Sequence, residues 1–346
     1  MNSGSSEPQV VLFERSPYGN IDAIVEHDDR TVYFYLASQN SFGMRSCWLG
    51  NLVEGPLVMS EADLRQGRPP LVPRIHCTHP AGREIPQESD LEIVWFEEGN
   101  GAAVLERGEV LGIIPPWSGA SEFHGYARDS IAETIVAWPI PTETALLRRI
   151  EHAREFWRGF RDGNPFATLQ SEILQSHKNR FGAEVKYWVI DNEQFPPRGL
   201  IQMESNGTTT FATVGMSLVP QPNVEMYVEN PSQSRRVELA FQLDSSNLDP
   251  EKIEEIGQRI SAIAKKPWES FTWFGHMHSC EFKVQATDGE TPFVIFWGDP
   301  NPLCSYREDP VRLLWVVPIT QAELDQLLAK DYSFVESAEF KNRLPV

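Results

Sequence analysis

Three residues with metal-binding side chains lie two positions apart in the second half of the sequence: His276, His278 and Cys280. On a β-strand, alternate side chains point to the same face, so these three would converge on one ion. Imidazole and thiolate groups are typical ligands of zinc. The alternative interpretation is that the histidines are surface groups or form ordinary hydrogen bonds.

A second cluster of the same residue types, His76, Cys77 and His79, lies in a proline-rich loop. Neither cluster has the paired spacing of a structural zinc site. The sequence also contains no H-E-x-x-H helix, no G-x-S-x-G nucleophile elbow and no P-loop. We therefore predict a protein that has no cofactor and is not an enzyme. A metal-dependent hydrolase that uses His276 and His278 stays open as the alternative.

A proline-rich loop and the segment after it carry the best candidates for contacts with a partner. Trp117 lies in the motif PPWSG, and the motif GYARD contains Tyr126, Arg128 and Asp129. Proline excludes the first motif from a helix interior or a central strand, and large aromatic side chains often anchor interfaces. We predict that these four residues bind a partner. The alternative is that the two aromatics close one end of a hydrophobic core while the charged residues pair locally.

The strands and helices that position these candidate residues are organised around residues 208–244. There, two β-rich runs flank a proline-rich link. In the second run an apolar row alternates with a mostly polar row, which is typical of a strand. The apolar row is Val237, Leu239, Phe241 and Leu243, and the other row is Arg236, Glu238, Ala240 and Gln242. We predict a central antiparallel strand pair, a bulge or close backbone approach at Gly215, and a solvated sheet edge at Arg235 and Arg236.

Helical periodicity appears outside this region. Apolar residues three and four positions apart predict a helix that begins after Thr142 and connects two domains. Asp249 before Pro250 indicates the start of another helix, and Thr320 with Glu323 forms the capping-box pattern of a third. The apolar face of the connecting helix consists of Leu146, Ile150, Ala153, Trp157 and Phe160.

Several motifs of the second half resemble, in order, those of the suppressor of fused domain family. They are ATVGMS, the proline-rich link, RRVELAFQL, Trp268, FGHMH and LLWVVPITQAEL. The resemblance extends from near Phe166 to the C-terminus. The first half, with PPWSG and GYARD, is similar to the extra N-terminal region of longer bacterial members. The Gly275-His276 step falls where the family carries a similar pair, and the resemblance implies no metal there.

This resemblance implies a non-catalytic protein-binding module. Animal members hold a zinc-finger transcription factor of the Hedgehog pathway by gripping a peptide between two lobes. We do not expect the same partner for this chain, because its additional lobe precedes the shared domain. In bacteria the domain looks like one used in immunity proteins that neutralise toxins. We therefore predict an immunity or antitoxin protein that sequesters a partner protein, such as a basic toxin, with a stand-alone scaffold protein as a further alternative.

The predicted fold is α+β in two lobes, which a length of 346 residues accommodates. A β-rich N-terminal domain is expected at 9–140 and a connecting helix at 141–164. A suppressor of fused-like domain is expected at 165–346. The resemblance implies that this last domain is an α/β sandwich around a largely antiparallel or mixed central sheet.

Composition and charge narrow the possible partners. A net charge of −19 argues against nucleic-acid binding, which needs a basic patch, and would steer a basic protein toward the surface. No apolar run approaches the ~20 residues that cross a bilayer, and the N-terminus lacks the pattern of a signal peptide. Four cysteines without a C-x-x-C pair suit reduced thiols. We expect a cytoplasmic protein without a nucleic-acid or membrane partner.

Overall fold

The β-rich first half and the mixed second half of the sequence fold as two units. The computed structural model describes residues 7–39, 42–142, 145–246, 248–286 and 289–344. The chain divides after Asp162 into the units Met1–Asp162 and Gly163–Val346. The first unit consists mainly of strands, and the second combines strands with helices. This confirms the predicted α+β class with a β-rich N-terminal lobe.

Two separate sheets make up most of the first unit. The first contains β1 (Gln9–Arg15), β2 (Asp22–His27), β3 (Thr31–Ala37) and β4 (Met44–Asn51), and the short helix α1 (Glu61–Arg65) follows it. The second contains β5 (Leu91–Trp95), β6 (Ala102–Glu106), β7 (Glu109–Ile114), β8 (Tyr126–Ala127) and β9 (Trp138–Pro139), and helix α2 (Ala145–Asp162) follows it. Both sheets are arranged in chain order. All strand pairs are antiparallel except β8 with β9.

Local turn chemistry sets the register of these sheets. Between β2 and β3, Asp28 Oδ1 accepts hydrogen bonds from the backbone N–H groups of Arg30 and Thr31, both at 2.8 Å. Between β6 and β7, Arg107 and Gly108 both have positive φ angles, which a tight hairpin turn requires. The strand pairing shows both hairpins.

Helix α2 packs on the second sheet through its apolar face. Leu146, Ile150 and Ala153 are buried in one cluster with sheet residues such as Val94 and Ile113. The predicted face is therefore the one that packs, and this contact ties the helix to the first unit. The domain bounds of 9–140, 141–164 and 165–346 stay a prediction.

An eight-stranded mixed sheet forms the centre of the second unit. Its strands are β10 (Glu184–Val189), β11 (Gly199–Ser205), β12 (Thr208–Val214), β13 (Val237–Asp244), β14 (Ser279–Ala286), β15 (Gly289–Gly298), β16 (Cys304–Tyr306) and β17 (Asp309–Ile319). The spatial order is β10-β11-β12-β13-β17-β15-β14, with β16 paired to β17. Strands β13 and β17 pair in parallel, and the other pairs are antiparallel. The prediction of a largely antiparallel or mixed sheet is confirmed.

The helices of the second unit are α3 (Pro165–Phe181), α4 (Pro250–Ala264), α5 (Lys266–Ser270), α6 (Gln321–Leu328) and α7 (Ala338–Lys341). Helix α4 begins at Pro250, as the Asp249-Pro250 step predicts. The capping box of Thr320 and Glu323 at the start of α6 is also confirmed. Within the described ranges, no helix is long and apolar enough to span a bilayer.

Strands β12 and β13 form the predicted central pair. They run antiparallel, from Thr208 opposite Asp244 to Ala212 opposite Ala240. Both faces of β13 are buried as far as Phe241, because the sheet is covered on both sides. Arg236, Glu238 and Ala240 of the mostly polar row are therefore buried, whereas Gln242 beyond them is exposed.

The backbone turns sharply after β12, at Gly215. This residue has a φ of 105°, and a Cβ atom there would lie 2.6 Å from the ring of Phe166 and 2.7 Å from the carbonyl O of Pro197. Only glycine avoids both the contacts and the backbone strain. The predicted close backbone approach at Gly215 is confirmed.

Candidate functional site

Two loops, 215–236 and 271–278, meet at one end of the eight-stranded sheet with the segment 299–308, which contains β16. Strand pairing brings the end of β12 beside the start of β13, and the end of β15 beside the starts of β14 and β17. The motifs ATVGMS, RRVELAFQL and FGHMH therefore come together in space, although they are far apart in sequence.

A fully buried carboxylate holds the first loop in place. Glu238 accepts hydrogen bonds from Thr213 Oγ1 at 2.7 Å and Gly215 N at 2.9 Å. It also accepts from the N and Oγ of Ser217, at 3.0 and 2.6 Å. Burial raises the pKa of Glu238, and these donors oppose the shift. Because its oxygens are already occupied by four donors, Glu238 is a structural anchor rather than an acid–base group.

Asp309 binds two arginines that are adjacent in the sequence. Arg235 donates two hydrogen bonds to its carboxylate, at 2.6 and 2.7 Å, and Arg236 donates one at 3.0 Å. Arg236 also donates to the carbonyl oxygens of Ser217 and Leu218, at 3.0 and 2.8 Å. The side chain of Arg236 is only 3% exposed, so the predicted solvated edge is wrong at this residue. The reason is the countercharge of Asp309, which permits burial.

The side chain of Gln221 joins the first loop to the second. Its Oε1 accepts a hydrogen bond from Phe274 N at 2.8 Å, and its Nε2 donates to the carbonyl O of Phe274 at 3.0 Å. Nearby, Asn223 Nδ2 donates to the carbonyl O of Phe271 at 2.6 Å. Gln221 is buried. A polar side chain thus holds the second loop much as a neighbouring strand would.

These two loops present a row of aromatic side chains to solvent. The rings of Tyr227 and Trp273 stack with their centroids 6.4 Å apart, and the ring of His278 meets that of Trp273 edge-on at 4.3 Å. Tyr227 is 69% exposed, and Met226 beside it is exposed as well. We call Met226, Tyr227, Trp273 and His278 the aromatic loop surface. Such residues on a rigid support are typical of partner-binding surfaces.

His276 and His278 lie in a turn, not on a strand. Met277 between them has a φ of 67°, and His278 N donates to the carbonyl O of Gly275 at 3.1 Å. The two-residue period of a strand does not apply in a turn, so His276, His278 and Cys280 do not share a face. In the part of the chain that the structure describes, no three His, Cys, Asp or Glu side chains form a metal-binding group.

The surroundings of two of these residues also set their protonation. His276 Nδ1 accepts a hydrogen bond from Gly298 N at 3.1 Å, so the ring proton of the neutral imidazole lies on Nε2. Burial raises the pKa of the Cys280 thiol to about 11, so the free thiol is protonated at neutral pH. The alternative of a metal centre at His276, His278 and Cys280 therefore lacks the geometry it requires.

Trp117 and Tyr126 of the first unit are half-buried. Both pack against the cluster that α2 forms with the second sheet, and the ring of Tyr126 lies 4.8 Å from that of Phe123. This is the packing expected if the two aromatics close one end of the core. Their role in partner binding stays a prediction.

Arg128 and Asp129 bind different partners rather than each other. Arg128 pairs with Glu106. Asp129 is 1% exposed, and its Oδ2 lies 3.0 Å from His79 Nδ1 and 3.8 Å from Arg83 Nη1. The burial of Asp129 favours a structural role. The predicted binding roles of Arg128 and Asp129 are not tested by this geometry.

The cysteines are free thiols, two of them buried. Burial raises the pKa values of Cys77, Cys280 and Cys304 to about 11, and that of Cys47 is also raised by burial. At neutral pH all four are protonated and therefore weak nucleophiles.

Sequence reasoning missed the three residues that hold the loops together: Gln221, Glu238 and Asp309. For two of them, the neighbouring residues in the sequence already indicate an unusual position. Gln221 stands between Pro220 and Pro222, and Glu238 interrupts a run of apolar residues. Asp309 has no such indication, because its arginine partners are 73 and 74 residues away in the sequence.

Comparison with known proteins agrees with this arrangement of motifs. Residues 196–344 match the family described as Suppressor of fused protein (SUFU). Most of the second unit is therefore similar to a suppressor of fused domain. The domain includes Gln221, Glu238, Asp309 and the whole aromatic loop surface, whereas the match covers none of the first unit. No curated protein matches the chain. Suppressor of fused domains bind protein partners, which fits a non-catalytic role for this site.

Proposed function

We propose that this protein is a non-catalytic binding protein that holds another protein on the aromatic loop surface of its suppressor of fused domain. The observation that carries the proposal is the row in which the exposed ring of Tyr227 stacks on the half-buried ring of Trp273, which the half-buried ring of His278 meets edge-on. Tyrosine and tryptophan dominate the binding energy of many interfaces. The row is supported by the buried side chain of Gln221, so little conformational entropy is lost when a partner docks.

The partner in this proposal is a basic protein. The chain carries 49 acidic against 30 basic side chains, which gives its net charge of −19. Such a charge accelerates association with a positively charged protein and repels acidic ones. An inhibitor that must capture a toxin before it acts benefits from this faster association. We therefore infer that the chain is a bacterial immunity or antitoxin protein that sequesters a basic toxin.

A cytoplasmic location belongs to the same proposal. The described cysteines are all unpaired, and reduced thiols are usual in the cytoplasm. There the protein would meet an incoming or newly made toxin. Trp117, Tyr126, Arg128 and Asp129 of the first unit are proposed as a second contact region. Arg128 is the more accessible of the two charged candidates, because Asp129 is buried.

The experiment combines gene neighbourhood with growth rescue. We expect a gene for a basic toxin beside the gene for this protein. Production of that toxin in a bacterial host should arrest growth, and co-production of this protein should restore it. The double variant Tyr227→Ala, Trp273→Ala should lose the rescue. Tyr332→Ala removes an exposed aromatic outside the aromatic loop surface and should keep it.

Two outcomes would contradict the proposal. If no toxin gene lies nearby and no growth arrest is relieved, a scaffold role becomes the better interpretation. If rescue succeeds equally with the double variant, the partner binds elsewhere, and the contact region of the first unit is the next to test.

A further inference from the structure

We propose that a groove in the first unit binds a small organic anion with a flat, apolar body. The groove lies between β1, β5 and α2 and has a volume of about 420 Å³. This volume falls within the range of sites that hold small molecules. The inference is independent of the proposed function, since it concerns a different unit and a different class of ligand.

The walls of the groove are aromatic and are held by hydrogen bonds. Trp157 and Phe160 line it from α2, and Trp95 lines it from β5. Trp157 Nε1 donates to the carbonyl O of Trp95 at 2.7 Å, and Trp95 Nε1 donates to Glu14 Oε1 at 2.7 Å. Both indole N–H groups are therefore occupied. Trp95 is only 2% exposed and supports the wall. The half-buried rings of Trp157 and Phe160 therefore supply the apolar surface against which a flat ligand packs.

The groove also concentrates positive charge. Arg154, Arg158 and Arg161 line it from one face of α2, at spacings of four and three residues. Arg154 is neutralised by Glu92 through two hydrogen bonds, at 3.2 and 2.7 Å. Neither Arg158 nor Arg161 forms an ion pair with any described residue. Among the described lining residues, Glu14 is the one further acid, so the guanidinium groups are in excess.

Two unpaired arginines beside fixed aromatic rings select the chemistry of the ligand. A guanidinium group donates two parallel hydrogen bonds to a carboxylate, sulfonate or phosphate. In a chain with a net charge of −19, such a site favours a small anion, because the long-range field repels an extended polyanion. We therefore infer a free small molecule as the ligand rather than a nucleic acid or an acidic protein.

The test uses the full chain and the fluorescent probe 8-anilinonaphthalene-1-sulfonate, a flat aromatic anion. Titration at low ionic strength should give saturable fluorescence enhancement at one site per chain. Arg158→Glu and Arg161→Glu should each weaken binding about tenfold. Each change removes a positively charged donor and introduces a carboxylate that repels the anionic ligand. Arg158→Lys, which keeps the charge but loses the bidentate geometry, should have a smaller effect.

The matched control is Arg148→Glu, which makes the same change at an exposed position of α2 outside the groove. It should change the affinity less than twofold. Thermal unfolding of each variant reports whether the fold is retained. The inference is overturned if the wild-type protein shows no saturable binding, or if Arg148→Glu weakens binding as much as Arg158→Glu. Undiminished binding by both groove variants would also overturn it.

Discussion

Gln221 and Phe274 pair through both amide atoms of the glutamine side chain, as two neighbouring strands pair through their backbones. The two residues are 53 positions apart in the sequence. The pair places Trp273, the residue before Phe274, beside Tyr227 in the aromatic loop surface. The shape of the exposed surface thus depends on a buried group that contacts no partner itself.

Replacing Gln221 with alanine should therefore affect stability and binding together. The change leaves the backbone N–H and C=O of Phe274 without these partners in a buried site. We expect a loss of about 1–3 kcal/mol in the free energy of unfolding, measured by urea denaturation. Gln175→Ala, at an exposed position on α3, is the control and should change stability by less than ~0.5 kcal/mol. Equal effects of the two changes would argue against the pairing.

Two glycines near the aromatic loop surface provide a matched test of the position of Trp273. A Cβ at Gly275 would lie 2.4 Å from the Trp273 ring, whereas a Cβ at Gly298 would meet His276 at an ordinary 3.6 Å. Gly275→Ala must displace the indole, so we expect an altered near-ultraviolet circular dichroism spectrum and partner binding weakened about tenfold. Gly298→Ala should leave both unchanged. An unchanged spectrum for Gly275→Ala would show that the ring is not held as described.

The two arginines that bind Asp309 should differ in their contribution to stability. Arg236→Ala removes a buried charge and leaves the carbonyl oxygens of Ser217 and Leu218 without its hydrogen bonds. We expect a loss of about 3–5 kcal/mol in the free energy of unfolding. Arg235 is 39% exposed in its side chain, so Arg235→Ala should cost about 1 kcal/mol or less. Urea denaturation of both variants measures the difference, and the reverse order would contradict the assigned burial.

The pH dependence of stability should reveal the buried carboxylate of Glu238. Its pKa in the folded protein is raised by burial above the ordinary value of 4.5. At a pH between the pKa of Glu238 in the unfolded protein and its raised pKa in the folded protein, the folded state binds more protons than the unfolded state. The contribution of Glu238 to stability therefore falls as the pH rises. Glu238→Gln removes the titration. The free energy of unfolding of the wild type, relative to this variant, should therefore be highest near pH 4.5 and decrease toward neutral pH.

The control for this titration is Glu229→Gln, which changes an exposed glutamate of the same loop. Its free energy of unfolding should follow that of the wild type across the same pH range. If the difference between the wild type and Glu238→Gln is constant with pH, Glu238 does not have a raised pKa.

Sequence patterns predicted the structural elements that depend on interactions between residues close together in the sequence. The helix start at Asp249-Pro250 and the capping box at Thr320 depend on neighbours within a few residues. The apolar face of α2 depends on a helical period alone. The central strand pair was predicted because two β-rich runs flank a link that must turn. In each case the deciding interactions lie within the pattern itself.

The candidate site depends on interactions between distant parts of the chain, and here the sequence was less informative. A period of two indicated a polar row on β13, but it did not reveal that loop 215–218 would bury Glu238 by supplying donors to it. The same period suggested that His276 and His278 share a strand face, and the positive φ of Met277 breaks that relation. Tyr227 and Trp273 meet because the side chains of Gln221 and Asn223 join their loops.

Calorimetric titration of the purified protein with the basic toxin proposed as its partner tests most directly whether the aromatic loop surface holds a protein partner. We expect one toxin bound per chain. Affinity should fall by about 100-fold in the double variant Tyr227→Ala, Trp273→Ala, and by less than about twofold in Tyr332→Ala. Full affinity of the double variant, with its fold intact by circular dichroism, would contradict the assignment of this surface.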